Sequence, residues 1–123
     1  MALRKSGEDY LEAVYILRRK YGAVRSVDVA RHLGVSKPSV CKALGILRDC
    51  GLLVMDGKGY LHLTEQGKEQ AESIYERHRF FVNYLIAAGV DPETAERDGC
   101  RMEHAVSEEA FRKLKAYTEK ETD

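Results

Sequence analysis

The sequence lacks the features of a membrane or secreted protein. No apolar run approaches the roughly 20 residues that a membrane-spanning helix needs, and the N-terminus has no signal-peptide core. Its three cysteines, Cys41, Cys50 and Cys100, cannot all pair with one another, which favours reduced thiols. Internal repeats and low-complexity segments are absent as well. We therefore expect a cytoplasmic protein with no membrane partner.

Net charge is also lacking, because 20 basic side chains balance 20 acidic ones, but the two halves of the chain differ. Residues 1–60 contain eleven Lys and Arg against six Asp and Glu, a net charge of +5. Residues 61–123 contain nine against fourteen, a net charge of −5. This asymmetry indicates that the first half faces a polyanion and that the second half has another task.

The first half has the pattern of a winged helix. Apolar residues at helical spacing predict a helix over residues 6–20, a second from Ser26 to Gly34, and a third from Ser36 to Cys50. Ser26 and Ser36 are the predicted N-caps of the second and third helices. The short turn between the last two is typical of a helix-turn-helix. Two strands, 52–55 and 60–63, flank Asp56-Gly57-Lys58-Gly59 and predict a hairpin.

The second half is predicted to be all-helical. One long helix follows Thr64 and ends near Gly89, another starts at Asp91-Pro92-Glu93, and the last starts at Ser107. The sequence thus predicts a mainly α protein with an N-terminal winged helix-turn-helix over residues 1–63 and a helical domain over residues 64–123.

A winged helix with basic residues at these positions favours DNA binding. The first turns of the third helix are expected to enter the major groove, where lysine can donate to guanine. Residues at the second helix and the hairpin tip are better placed for phosphates. The candidates are Arg25, Ser26, Ser36, Lys37, Pro38, Ser39, Lys42 and Lys58. Because one small domain reads few base pairs, we expect a homodimer on a palindromic operator in double-stranded DNA.

The acidic half contains a candidate metal-ligating cluster. Cys100, Glu103 and His104 are related by i+3 and i+4, so a thiolate, a carboxylate and an imidazole project from one face of a helix. On the first helix Asp9 and Glu12 are i,i+3 neighbours, although either one alone is more often a surface or capping carboxylate. His78 lies among apolar residues of the long helix, where a core histidine is the more common case.

These residues resemble the family of iron- and manganese-dependent repressors typified by the diphtheria toxin repressor and the manganese transport regulator. The resemblance covers nearly the whole chain in matching order. It is carried by Glu8-Asp9-Tyr10-Leu11-Glu12, Ser36-Lys37-Pro38-Ser39-Val40, Leu63-Thr64, Arg77-His78-Arg79 and the segment from Cys100 to Ser107. It implies a winged helix followed by a helical metal-binding and dimerisation domain, as in the short two-domain manganese regulators.

The resemblance also implies a paired metal site. Asp9, Cys100, Glu103 and His104 match the ligands of one ion, while Glu12 and His78 match those of a second, with Glu103 bridging. Val82 stands where the iron branch has a glutamate ligand, and Glu96 where it has a histidine. Whether Glu96 or Cys100 shares the second site is left open. Carboxylates and imidazole suit Mn²⁺ or Fe²⁺, whereas a thiolate favours Fe²⁺, Co²⁺ or Zn²⁺, so Zn²⁺ or Co²⁺ can substitute.

The expected function is a metal-activated repressor of metal-uptake genes. A metal ion held by ligands on the first helix and in the second half would join the two parts of the protein. The joined protein would lose less conformational freedom when it binds DNA. The first alternative is a winged-helix regulator with a non-metal or redox signal at Cys100. A small metallohydrolase and a helical interaction module are the others, and the sequence offers no second catalytic constellation for the hydrolase.

Overall fold

The structure is a computed structural model that describes residues 5–121, with side chains from residue 7 to residue 120. Within that range it has six helices and one pair of strands, which confirms the mainly α fold class. The elements are α1 (Lys5–Tyr21), α2 (Ser26–Leu33), α3 (Lys37–Asp49), β1 (Leu53–Met55), β2 (Leu61–Leu63), α4 (Glu65–Ala87), α5 (Pro92–Ala105) and α6 (Glu108–Glu121).

Contacts divide the chain into two compact units within α4, the first ending at Ser73 and the second beginning at Ile74. The domain boundary predicted from the sequence, between residues 63 and 64, stays a prediction. In the described range no helix is both long enough and apolar enough to cross a bilayer.

The first unit has the element order of a winged helix. α1, α2 and α3 pack against one another, and α1 also contacts β2. Their inward faces bury apolar side chains at helical spacing, including Leu11, Val14, Val29, Val40, Leu44 and Leu47. β1 and β2 pair antiparallel with Val54 opposite His62, and the Leu61 N–H extends the pairing by donating to the Val24 carbonyl at 2.8 Å. The predicted helix-turn-helix and hairpin are therefore present.

Side-chain caps explain where most of these helices begin. Ser36 Oγ accepts from the Ser39 N–H at 3.3 Å, and Thr64 Oγ1 accepts from the Gly67 N–H at 3.0 Å, as the sequence predicts. The prediction that Ser26 caps the second helix is wrong. Arg25 is the N-cap and Ser26 is the first helical residue. The Asp28 carboxylate accepts from the Arg25 N–H at 2.9 Å, which satisfies the entry to the helix without a serine cap.

The second unit consists of the C-terminal part of α4 with α5 and α6. Asp91 Oδ2 accepts from the Thr94 N–H at 3.0 Å and Ser107 Oγ from the Ala110 N–H at 3.1 Å, so both predicted helix starts are confirmed. Gly89 ends the preceding segment with φ of 99°, a conformation that favours glycine. Buried Phe81 and Phe111 form the aromatic core together with Phe80, whose ring meets each of them edge-on.

Two helical glycines of the first unit should respond to alanine in opposite directions. A Cβ on Gly67 would lie 1.9 Å from the Leu52 carbonyl oxygen, so α4 would have to move, and we expect Gly67→Ala to lower the free energy of unfolding by about 2 kcal/mol or more. A Cβ on Gly45 would meet only Arg48 Nη2, at 4.0 Å, so Gly45→Ala should raise it by about 0.5–1 kcal/mol through helix propensity. Urea unfolding measures both, and equal effects would contradict this packing.

Candidate metal centre and DNA-binding surface

The second unit brings three metal-ligating side chains together. They are His78 on α4 and Cys100 and Glu103 on α5, and one ligand atom from each lies within 4.8 Å of the others. Glu103 is almost completely buried, with 2% of its side chain exposed, and His78 is 12% exposed. His78 Nδ1 lies 2.8 Å from Glu103 Oε1. A carboxylate, an imidazole and a thiol thus converge in a shielded place.

The cluster forms because α5 approaches α4 closely. Gly99 is buried, and a Cβ at this position would lie 2.7 Å from Val82 Cγ2 and 3.0 Å from the Val82 nitrogen. Glu103 follows Gly99 by one helical turn, and His78 precedes Val82 by one turn. The two helices therefore run antiparallel here. The close contact between Gly99 and Val82 determines how near Glu103 and His78 come to each other one turn away.

Arg77 fixes the end of α5 that carries these ligands. Its guanidinium donates to the backbone carbonyls of Glu103 and Val106, which lie at the C-terminus of that helix. It also donates to Glu108 Oε2 at 3.1 Å and lies 5.5 Å from the centre of the Phe111 ring. These carbonyls have no partner further along α5, so a single half-buried cation satisfies the helix end and joins it to α6.

Glu96 and His104 lie at the edges of the cluster. Glu96 is exposed, but its Oε2 lies 2.9 Å from His78 Nε2 and its Oε1 accepts from Arg79 Nη1 at 3.3 Å. Each ring nitrogen of His78 thus faces a carboxylate oxygen. His104 Nε2 is 3.9 Å from Glu103 Oε1. The second unit therefore brings together three predicted ligands, His78, Cys100 and Glu103. Glu96, whose role the sequence left open, and the predicted ligand His104 lie next to them.

The donor set fits a divalent transition metal. Ligand atoms about 2.0–2.3 Å from an ion lie about 3–4.5 Å from one another, which is close to the separation found here. Carboxylate, imidazole and thiolate together suit the range from Mn²⁺ to Zn²⁺, and they do not resemble an all-oxygen Ca²⁺ or Mg²⁺ site. Burial of Glu103 also argues for a cationic partner, since a buried carboxylate is costly unless it is paired.

The remaining predicted ligands, Asp9 and Glu12, lie one turn apart on α1 in the first unit. Glu12 is buried, with 8% of the residue exposed, and Asp9 is half-buried. A buried glutamate in the middle of a helix is unusual. This burial disagrees with the view of Glu12 as an ordinary surface carboxylate.

The predicted major-groove residues form an exposed surface at the N-terminus of α3. They share high exposure, and they alternate with the buried face formed by Val40 and Leu44. Ser36 Oγ also donates to Ser39 Oγ at 2.8 Å, which orients both hydroxyls at the helix start. The exposed members are Ser36, Lys37, Pro38, Ser39 and Lys42.

The predicted phosphate contacts lie at the start of α2 and on the turn between β1 and β2, which we call the wing turn (residues 56–60). Lys58 is exposed at its tip, and Arg25 is exposed with its guanidinium 4.4 Å from the centre of the Tyr60 ring. Ser26 is half-buried. A hydrogen bond from His62, followed by backbone donors in the wing turn, holds the pKa of Asp56 below its usual value.

Sequence reasoning missed the residues that support these surfaces. Arg77 entered only as part of a motif, and His62, Asp56 and Arg18 were not singled out as functional. Their contacts join segments far apart in the chain, for which helical or strand periodicity gives no signal. The one sequence feature that indicates a role for Arg77 is its position as a cation directly before the predicted ligand His78.

Comparison with known protein families gives two adjoining matches. Residues 2–63 match the model described as "Iron dependent repressor, N-terminal DNA binding domain". Residues 64–122 match "Iron dependent repressor, metal binding and dimerisation domain".

Individual proteins give the same result. The chain is 42% identical to the transcriptional regulator MntR of Escherichia coli O6:H1 over 113 aligned residues. The aligned region covers 92% of this chain and 73% of that protein. It is 31% identical over 108 residues to the iron-dependent repressor IdeR of Mycobacterium bovis, covering 87% of this chain and 47% of that protein.

Solved structures share the fold. The manganese regulator SloR superposes with a TM-score of 0.80 at 25% identity, over 97% of this chain and 55% of that one. ScaR with bound Zn²⁺ superposes with a TM-score of 0.75 at 27% identity, over 92% of this chain and 53% of that one. The chain thus spans about half the length of these solved structures.

Removing the Arg77 guanidinium should destabilise the second unit. Arg77→Met leaves the carbonyls of Glu103 and Val106 without their half-buried donor, and we expect the free energy of unfolding to fall by about 1–3 kcal/mol. Arg101→Met is the matched control on α5, because that side chain is 78% exposed and should change stability by less than about 0.5 kcal/mol. Urea unfolding compares the two, and losses of equal size would contradict the role given to Arg77.

Proposed function

The chain belongs to the iron-dependent repressor family, and we propose that it is a metal-activated transcriptional repressor that binds operator DNA as a homodimer. The relatives are named as transcriptional regulators and repressors, which disfavours the metallohydrolase alternative. The order of the two matched domains agrees with the division of charge, since the segment matching the DNA-binding model is the basic one.

The observation that carries this proposal is the cluster of His78, Cys100 and Glu103, which falls in the segment matching the metal-binding model. In the proposed site these three side chains hold the ion, with His104 beside them. A bound divalent ion supplies positive charge against the buried Glu103 carboxylate. Arg77 keeps the ligand-bearing turn of α5 in place, and Glu96 orients His78 from the outer side.

We propose Mn²⁺ or Fe²⁺ as the activating ion. SloR is named as a manganese regulator and IdeR as an iron-dependent repressor, and ScaR has been solved with Zn²⁺ and Cd²⁺ bound. Cys100 adds a soft ligand that favours Fe²⁺, Co²⁺ or Zn²⁺ over Mn²⁺ in affinity, so the supply of metal contributes to the choice. Participation of Asp9, Glu12 and His104 as ligands, and a second ion per subunit, stay predictions from the family resemblance.

In the proposed DNA complex the N-terminal turns of α3 enter the major groove. Lys42 is the candidate for a base contact, and Arg25, Ser26 and Lys58 are the candidates for phosphate contacts. The exposed hydroxyls of Ser36 and Ser39 add short-range polar contacts near the backbone. Two copies related by a two-fold axis would read two half-sites, which is why we propose a palindromic operator.

Metal binding should depend on Glu103. We expect Glu103→Ala to weaken Mn²⁺ binding at least about tenfold, because it removes the most buried ligand, whereas Glu93→Ala should leave it unchanged. Glu93 is the matched control because it is an exposed carboxylate on the same helix. Titration calorimetry with Mn²⁺ alone measures the affinity.

The same variants test activation on DNA. The probe is a duplex selected from a random-sequence library by the Mn²⁺-loaded protein. Wild type and Glu93→Ala should bind it more tightly with Mn²⁺ than with chelator, and Glu103→Ala should not. Equal affinity of the wild type in Mn²⁺ and in chelator would exclude metal activation and favour the alternative of a redox or other signal.

Base recognition should depend on Lys42. On the selected duplex Lys42→Ala should lose about 1–3 kcal/mol of binding free energy, with a smaller loss on random-sequence DNA. Lys113→Ala, which changes an exposed lysine of the second unit, should lose nothing. Fluorescence anisotropy at one fixed salt concentration measures the affinities of the wild type and both variants for each duplex. An equal loss on both duplexes would assign Lys42 to a phosphate contact instead.

A further inference from the structure

A chain of side chains links the wing turn to α1. Arg18 Nη1 donates to the Leu61 carbonyl at 2.7 Å and lies 3.1 Å from His62 Nδ1. On the other side of the ring, His62 Nε2 lies 2.9 Å from Asp56 Oδ2. The imidazole on β2 therefore stands between a guanidinium on α1 and a carboxylate at the start of the wing turn.

The chemistry of these groups fixes the direction of every bond. A guanidinium only donates, so the His62 Nδ1 beside Arg18 is an acceptor. The Nε2 nitrogen then carries the ring proton and donates it to the Asp56 carboxylate. This tautomer uses both ring nitrogens at once, and no other neutral form of the ring makes both bonds.

Asp56 organises the wing turn with its second carboxylate oxygen. Oδ1 accepts from the Lys58 N–H at 2.9 Å and from the Tyr60 N–H at 3.0 Å. One carboxylate thus shapes the turn with one oxygen and binds His62 with the other. The turn presents Lys58 at its tip, and the Tyr60 ring in the same turn lies against Arg25.

The wing needs such an anchor because its own pairing is short. β1 and β2 have three residues each, and an isolated two-stranded hairpin is at best marginally stable in water. His62 and Asp56 are 41% and 39% exposed, and pairs at that exposure contribute little to the stability of a fold. Their effect is therefore expected on the position of the turn and not on the unfolding of the unit.

We propose that His62 is a positioning residue for DNA binding, which ties the wing turn to α1 through Arg18 and Asp56 and so fixes Lys58 and Arg25 against the DNA backbone. This role rests on the proposed function, because it assumes that the wing contacts DNA. It is distinct from the metal centre and involves none of the candidate metal ligands.

Two variants separate the two bonds of His62. His62→Asn keeps an amide near the position of Nδ1, which faces Arg18, and loses the bond to Asp56. His62→Gln places its amide near the position of Nε2, which faces Asp56, and loses the bond to Arg18. Since the proposed anchor needs both bonds, we expect either variant to weaken binding of a fluorescein-labelled random-sequence duplex by about three- to tenfold.

The dependence of DNA affinity on salt shows which contact is lost. Lys58→Ala should reduce the slope of log affinity against log salt by about 0.9, as expected for one phosphate contact. The His62 variants should reduce the slope in the same direction. In a double variant with Lys58→Ala, each His62 substitution should weaken DNA binding less than it does alone, because the Lys58 contact that it positions is already absent.

Amide hydrogen exchange provides a readout without DNA. In His62→Asn the amides of Lys58 and Tyr60 should exchange faster, while the amides of α3 and the unfolding midpoint stay as in the wild type. His32→Asn is the matched control, since it removes an exposed imidazole of the same unit that is outside this chain of contacts.

The outcomes are distinguishable. Unchanged amide exchange and unchanged DNA affinity in both His62 variants would overturn the inference and leave the proposed function intact. Faster exchange throughout the first unit, with a lower unfolding midpoint, would overturn it in favour of a role in stability. Failure of the wild-type protein to bind any duplex with Mn²⁺ would overturn the proposed function itself, and the inference with it.

Discussion

The close approach of α5 to α4 at Gly99 is the constraint on which the candidate metal centre depends. With any side chain larger than hydrogen at this position, the helices would have to move apart, because Val82 already fills the space. The same contact explains why position 82 is a valine here and not the glutamate ligand of the iron branch. Where the iron branch of the family resemblance has a glutamate, this chain has a fully buried valine that packs on the glycine. The ligand set is correspondingly concentrated one turn away, at His78 and Glu103.

Several acidic side chains of the first unit are held in local hydrogen bonds or ion pairs, which leaves exposed basic side chains to set the charge of its DNA-facing surface. Asp28 accepts from the backbone N–H of Arg25, and Asp56 accepts from two backbone N–H groups and His62. Asp49 lies beside Arg48. These carboxylates are occupied locally, whereas Lys37, Lys42 and Lys58 remain exposed. The positive potential of this unit therefore lies where the helix-turn-helix and the wing turn would meet phosphates.

The sequence predicted the parts of the molecule that depend on local patterns. Capping is a short-range effect, so the sequence predicts the helix starts at Ser36, Thr64, Asp91 and Ser107. It also predicts the cluster of cysteine, glutamate and histidine on α5, because these residues share a helical face. Ser26 was misassigned because Asp28 satisfies the helix entry from inside the helix. The contacts of Arg77 with α5 and of Arg18 with His62 could not be predicted, because they depend on which helices and strands pack together and how closely.

The α3 surface keeps its two tasks on separate residues. Val40, Leu44 and Leu47 are buried and hold the helix in the first unit, while Ser36, Lys37, Ser39 and Lys42 are exposed. Substitutions on the exposed side change what the helix can recognise with little cost to folding. Over evolutionary time such a chain can acquire new operator preferences one residue at a time, while the scaffold that carries them stays the same.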